Sequence, residues 1–352
     1  MPSLRPLDEA SRSPFPMIRV RNLGKTFVTQ KRYPGFLGSL KGLVTREKVR
    51  TVAVDDVSFD IDSGEIVGYI GANGAGKSTT IKMMTGILTP SSGRVTVDGV
   101  VPWERRMANA ANIGVVFGQR TQLWWDLPVT ESLTLLRDIY GVTKGEYEKR
   151  LAFLDEVLAL SEFASSPVRT LSLGQRMRAD LAASLLHRPK VLYLDEPTIG
   201  LDLIVKEKVR KAIKELNREF GTTIILTTHD LADIEELCRR IIVIDSGRLV
   251  YDGSLDELRA KYGRARTVRF HLAPGAVVDV APLAAELAAL DSSSRTAMEE
   301  GELAVTFDRA KAGVGAVVQK VLARHEVLDY AISETKIEEI VKRIYLEAEA
   351  AR

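Results

Sequence analysis

The apolar positions fall into two successive patterns. Up to about residue 258, short apolar runs exchange with stretches of helical spacing. Residues 18–22 and 52–61 read as strands, the second running on toward the apolar run at 65–70. An apolar run over 65–70 leads through a glycine-rich segment into a helical pattern over 79–88. Further strands are expected at 94–97 and 113–117, and residues 129–188 are mostly helical by spacing. Residues 191–194 are continuously apolar, as in a strand deep inside a sheet. A helix over 203–220 carries Val205, Val209, Ala212, Leu216 and Phe220 on one face. A strand (223–227), a helix (231–239) and a strand (241–244) complete an alternation that predicts an α/β fold.

The texture changes at a boundary near 258–265. Strands at 267–272, 301–307 and 327–333 and helices at 281–290 and 314–325 give the order β-α-β-α-β, the pattern of a small α+β unit of the ferredoxin-like kind. A last helix, 336–348, sets Ile337, Ile340, Val341, Ile344 and Tyr345 on one side, to dock on the small sheet or to meet a second copy. The expected organisation is thus a flexible tail (1–16), an α/β domain (17–258) and an accessory α+β domain (265–352). Inside the α/β domain, 29–50 reads as a basic insertion and 120–188 as a helical subdomain.

Composition narrows the function classes. With 49 basic against 47 acidic residues in 352, the charge balance does not indicate a nucleic-acid binder. The lone cysteine, Cys238, excludes an internal disulfide and fits a reducing compartment. No apolar run approaches the ~18 residues that span a bilayer, so any membrane task needs partners that supply the spanning part. The basic residues of 29–50 read either as a solvated loop or as a contact for lipid headgroups or a membrane partner.

The chemistry is most legible at Gly71-Ala-Asn73-Gly74-Ala75-Gly76-Lys77-Ser78, between an apolar strand and a helix. Glycines at this spacing let successive backbone N–H groups curl around a phosphate chain. Lys77 reaches the β- and γ-phosphates, and the Ser78 hydroxyl suits Mg²⁺. Thr79 continues the helix, whose positive end faces the phosphates. The strand at 191–194 runs into Asp195 and Glu196, the first placed to hold Mg²⁺, the second to polarise an attacking water. Leu171-Ser172-Leu173-Gly174-Gln175 opens a helix at Arg176, where an N-terminus grips an anion. His229 ends another strand and is positioned to donate to a γ-phosphate, and Gln119 follows the strand at 113–117.

In these segments the chain resembles the nucleotide-binding subunits of ABC transporters. Gly71–Ser78 resembles Walker A, 191–195 Walker B and 171–175 the family signature. Gln119 matches the Q-loop, 199–202 with Asp202 the D-loop, and His229 the switch histidine; Phe27 stands at the position of the aromatic that stacks on adenine. The resemblance covers 17 to about 258 and implies ATP and Mg²⁺ as ligands, with Ser78, Gln119 and Asp195 at the metal and Glu196, His229 and Gln119 in catalysis. It implies a head-to-tail homodimer in which Ser172, Leu173, Gly174 and Gln175 of one copy close on the ATP of the other. Leu173 departs from the family's glycine: it either crowds the γ-phosphate or points away while the Gly174 amide still binds. The stretch 119–128, the signature and the basic insertion are similar to an ABC-2 exporter group that works with two different permease proteins. That implies a peripheral protein on the cytoplasmic face of the membrane. Trp124 and Trp125 then face the permease, or else fill the core of the helical subdomain. An importer ATPase, a non-transport ABC ATPase and a degenerate scaffold are the other readings. The α+β tail, the single cassette and the intact Glu196 and His229 speak against them in turn.

Overall fold

The computed structural model describes residues 16–30, 48–117, 120–273 and 279–350. Their contacts separate into two compact units, dividing between Asp252 and Gly253.

The first unit runs β1 (Ile18–Gln30), β2 (Lys48–Ile61), β3 (Ile66–Gly71), α1 (Lys77–Met84), β4 (Ser92–Val97), α2 (Arg106–Asn112) and β5 (Ile113–Phe117). It continues with α3 (Val129–Ile139), α4 (Lys144–Leu158), α5 (Leu173–Leu185), β6 (Val191–Asp195), α6 (Leu203–Phe220), β7 (Thr223–Thr227), α7 (Leu231–Leu237), β8 (Arg240–Asp245) and β9 (Arg248–Ser254). Six strands form one sheet in the order β5-β6-β7-β3-β8-β9, and β2-β1-β4 form an antiparallel three-stranded sheet. The pairs from β5 through β8 are parallel. Such strands are covered on both faces, hence the unbroken apolar runs at Val191–Leu194 and in β7 and β8. A core of Ile18, Val57, Phe59, Tyr69, Ile81, Met83, Met84, Tyr193 and Ile242 joins the two sheets to α1. Phe59 and Tyr69 sit with ring centroids 5.8 Å apart.

β1 is longer than the pattern at 18–22 predicts. Its second half, paired with the start of β2, leaves Val28, Val49 and Val52 exposed, so no inward alternation marks it. The greater part of the basic insertion lies outside the described residues.

The second unit runs α8 (Leu255–Tyr262), β10 (Ala265–Leu272), α9 (Val280–Ala288), β11 (Arg295–Glu299), β12 (Glu302–Asp308), α10 (Val314–Leu322), β13 (Val327–Glu334) and α11 (Ile337–Ala350). The strands pair antiparallel in the order β11-β12-β10-β13. Val268, Phe270, Leu283, Leu287, Leu303, Val305, Phe307, Val317 and Val321 make its core. β11 is an addition to the expected strands: a short edge strand with mostly exposed side chains gives little apolar signal. α8 is another, begun by a Ser254–Glu257 capping box. Ile337, Ile340, Val341 and Ile344 are buried, and α11 packs against α8. Among the described residues no helix is long and apolar enough to cross a membrane.

Candidate functional site

In a parallel sheet the carboxyl ends of the strands open toward the crevice where ligands bind. Here β3 runs into the glycine-rich loop, β6 into Asp195 and Glu196, and β7 into Thr228 and His229. Asp195 pairs in register with Thr227 and with Phe117, so three strands end at one level.

The loop turns tightly because Gly74 and Gly76 adopt φ of 82° and 105°. A side chain at Gly76 would meet the Ala53 carbonyl oxygen at 2.4 Å, so only glycine fits there. α1 begins at Lys77 with Gly76 as its cap, one residue before the expected Ser78. Lys77 is 7% exposed, and its ammonium donates to the carbonyls of Gly71 at 2.6 Å and Ala72 at 3.2 Å. Burial pulls its pKa below the ordinary lysine value, against the carboxylates of Glu196 and Asp195. Asn73, Gly74 and Ser78 are exposed, Thr79 is half-buried, and Ala75 is buried.

The Ser78 hydroxyl lies 3.4 Å from Asp195 Oδ2, while Asp195 Oδ1 accepts from the Thr227 hydroxyl at 2.5 Å. One carboxylate oxygen is thus anchored and the other turned to Ser78. This pair of hard oxygen donors fits a Mg²⁺ ion, which prefers oxygen and keeps several of its own waters. Gln119, the third expected donor, lies outside the described residues.

Glu196 leaves β6 at φ 58°, a strained value for a residue with a side chain, and its N–H donates to the Thr227 carbonyl at 2.9 Å. The turn carries its carboxylate to 3.0 Å from Nε2 of His229. Burial raises the Glu196 pKa, opposed by His229 and Lys77 and reinforced by Asp195.

Ser172–Gln175 form a reciprocal cap on α5, which starts at Leu173 rather than at Arg176. The Gln175 N–H donates to Ser172 Oγ at 3.2 Å, and the Ser172 N–H to Gln175 Oε1 at 2.9 Å. The Ser172 hydroxyl proton stays available to an anion. Among the described residues no hydrogen bond or ion pair joins this cap to the Lys77–Asp195–Glu196 cluster.

The sequence profile of the ABC transporter family matches residues 54–199. The ATP-binding protein NatA of Bacillus subtilis is 35% identical over 206 residues, covering 58% of this chain and 83% of NatA. The linearmycin resistance ATP-binding protein LnrL of the same organism is 38% identical, covering 60% of this chain and 67% of LnrL. The methionine import protein MetN of Geobacillus kaustophilus is 39% identical, covering 58% and 60%. A dimeric post-hydrolysis structure of the ATP-binding cassette MJ0796, bound to ADP and Pi, superposes with a TM-score of 0.56 at 27% identity, covering 68% of this chain and 99% of that one.

The chain belongs to the ABC transporter ATP-binding proteins. It is an ATP hydrolase and the ATP-binding subunit of an ABC transporter.

The remaining family positions follow. Phe27 lies on β1, half in solvent, with the Lys25 ammonium 5.4 Å from its ring centroid. Asp202 caps α6, accepting from the Val205 N–H at 2.9 Å. Gly174 abuts α6 so closely that an added side chain would stand 2.7 Å from Val205 Cγ1. The Leu173 side chain leans toward Gly200, where a Cβ would be 3.0 Å from its Cδ2. Trp124 and Trp125 are 39% and 51% exposed, which removes the core reading.

Two further networks lie outside the sequence motifs. Asp180 on α5, only 5% exposed, accepts from the Thr121 hydroxyl at 2.8 Å and the Gln122 N–H at 3.1 Å. Gln122 Nε2 returns a bond to the Asp180 carbonyl at 3.2 Å, clasping the segment after the Q-loop to the signature helix. Arg176, on the same helix, stands 6.0 Å from the Trp125 ring centroid. The second network is centred on buried Asp233, which pairs with Arg210 at 2.5 Å and accepts from Thr228 at 3.1 Å and from Thr198. It braces the loop behind Glu196 and the loop bearing His229 against α6. The one available signal is a carboxylate inside a run of apolar and small residues, as in Ala179-Asp180-Leu181-Ala182-Ala183.

Proposed function

We propose that the chain powers an ABC-2 type exporter as a head-to-tail homodimer, each ATP lying between Gly71–Ser78 of one copy and Ser172–Gln175 of the other. The observation that carries this is the split site. Lys77, Ser78, Asp195, Glu196 and His229 converge within one chain, while among the described residues the signature cap makes no bond to them and its Ser172 hydroxyl donates to no partner.

Each side chain then has a task. Phe27 stacks on adenine. The amides of 73–79 and Lys77 hold the β- and γ-phosphates, the ammonium exchanging its loop carbonyls for phosphate oxygens. Ser78, Asp195 and Gln119 would hold Mg²⁺, which would supply charge neutralisation on the phosphate oxygens. Glu196 accepts the proton of the attacking water, and His229 orients the γ-phosphate and steadies Glu196. Ser172 and the Gly174 amide donate to the γ-phosphate across the interface, with Leu173 turned aside, and Asp202 orders the facing loop. The charge of the γ-phosphate draws donors from both copies, so its loss lets them separate.

The aromatic pair Trp124 and Trp125, exposed beside the clasped Q-loop exit, is the proposed contact for two different permease proteins. The chain then sits peripherally on the cytoplasmic face of the membrane, with the 29–50 insertion near lipid headgroups or a permease loop. The α+β unit, with its β-α-β-β-α-β order, is read as a ferredoxin-like accessory domain. The match to LnrL, named for resistance, favours export; the match to MetN, named for import, supports the reverse direction as second reading. Purification with the permease partners and a screen for substrate-stimulated hydrolysis decides between them.

Mixing two inactive variants, Lys77→Ala and Ser172→Arg, tests the shared site. Random pairing leaves one intact composite site in the mixed dimers and restores up to about a quarter of wild-type hydrolysis. A mixture as inactive as its components contradicts the proposal.

A further inference from the structure

The second unit contains an open cleft of about 790 Å³ that the ATPase reaction does not use. That is well within the range of roughly 300–1,000 Å³ typical of small-molecule sites. Its charge is unusual for this unit. Lys261 and Arg264 come from the end of α8 and the link to β10, Arg295 from β11, and Arg343 from α11. Several other cations of the unit are paired: Arg266 with Glu334 at 2.7 Å, Arg269 with Glu299 at 2.9 Å, and Lys311 with Asp291 at 3.2 Å. Among the described residues, the four cleft cations have no such carboxylate. Arg264 donates only to the Ala260 carbonyl at 3.1 Å, and Arg343 reaches the Tyr262 carbonyl at 3.4 Å. The Lys261 ammonium lies 4.9 Å from the Tyr262 ring centroid.

The two carboxylates of the lining are already engaged. Asp308 accepts from the Ala310 N–H at 2.8 Å, and Glu347 from the Tyr262 hydroxyl at 3.2 Å. Holding like charges around one concavity opposes folding of the empty unit, so a counter-charge is favourable there. Four cations against two acids leave two positive charges, matching the roughly −1.5 to −2 of a phosphomonoester at neutral pH. Three forked guanidinium groups match the several oxygens of an oxyanion better than a halide, and three of them offer more donors than the two oxygens of a lone carboxylate can accept in bidentate pairs. The volume exceeds that of phosphate alone, and the Tyr262 ring offers a wall for an organic group.

We infer that this cleft is a second ligand site, independent of the nucleotide site, and that it takes a phosphomonoester of a small organic molecule. The ester is either a soluble metabolite or the exposed headgroup of a phosphatidic-acid-like lipid. The test uses the full chain carrying Lys77→Ala, so that the phosphate loop does not compete. Phenyl phosphate is titrated calorimetrically, and in parallel the protein is sedimented with phosphatidylcholine vesicles with and without phosphatidic acid. Saturable binding of phenyl phosphate, weakened about tenfold or more by Arg295→Gln with Arg343→Gln, supports a soluble ligand. Vesicle binding that needs both phosphatidic acid and these arginines supports the lipid source. No binding in either arm, or binding indifferent to the arginines, overturns the inference. Should the Gln pair unfold by circular dichroism, Arg295→Lys with Arg343→Lys keeps the charge and loses the fork, and intermediate weakening is expected. Basal ATP hydrolysis in the otherwise wild-type chain is unchanged by either pair.

Discussion

Replacing Asp180 by asparagine is expected to stabilise the protein at pH 8 and about half as much at pH 5. The carboxyl titrates near 3.8 in an open chain and near about 6 in the fold, because burial outweighs the bonds from Thr121 and Gln122 and the charge of Arg176. Between those values the folded chain keeps a proton that the unfolded chain has released, so stability falls as pH rises through the window. The full cost, where both forms are ionised, is about 3 kcal/mol. About half is incurred by pH 5 and about 1.4 kcal/mol more by pH 8. Asparagine keeps a carbonyl oxygen for the Thr121 hydroxyl and the Gln122 amide, both of which bind the same atom, Oδ1. It carries no charge to desolvate. Urea denaturation of both proteins from pH 5 to pH 8 measures the difference directly. The advantage of Asp180→Asn should grow by about 1.4 kcal/mol over that range. A flat difference, or a variant less stable than wild type at pH 8, refutes the assignment of a strained, ionised carboxylate at the clasp. The companion change Thr121→Val removes a donor to a buried charge and should cost about 1.5–3 kcal/mol at pH 8.

Other consequences follow from the site. With Glu196 as the proposed base, whose pKa burial raises, kcat should rise with pH through a value above that of an ordinary glutamate; a rate that falls only in the range of a free carboxyl excludes it as the base. Gly76→Ala meets both the positive φ and the Ala53 carbonyl, and should abolish nucleotide binding and lower stability by about 3 kcal/mol or more; equilibrium dialysis with ATP and a melting curve check this. Trp124→Ala with Trp125→Ala should leave basal hydrolysis intact and weaken copurification of the permease, since both rings are exposed; undiminished copurification moves the contact elsewhere.

The parallel sheet and the phosphate loop could be read from the chain because their determinants are contiguous. Gly71–Ser78 need one backbone path, and Val191–Leu194 need burial on both faces, and each leaves a local mark. Asp195, Glu196 and His229 stand out in the chain because each lies at or just past the end of an apolar strand. What stayed hidden is set by distant partners. The Asp180 clasp joins positions 58 to 59 residues apart, and the Arg210–Asp233 pair acts across two helices. Neither leaves a periodic trace. β9 and β11 are edge strands with partly exposed side chains, so burial imposes no alternation on them. The unpaired cations of the second unit look like any solvated basic residues until the fold gathers them into one cleft.

In the proposed cycle two copies share their ATP, and hydrolysis releases the pair. Light scattering of Glu196→Gln at saturating ATP and Mg²⁺ tests it most directly, because the variant keeps every donor to the nucleotide and loses the base. The account predicts a stable dimer with ATP that returns to monomer when ADP replaces it. A protein that binds ATP and stays monomeric contradicts it.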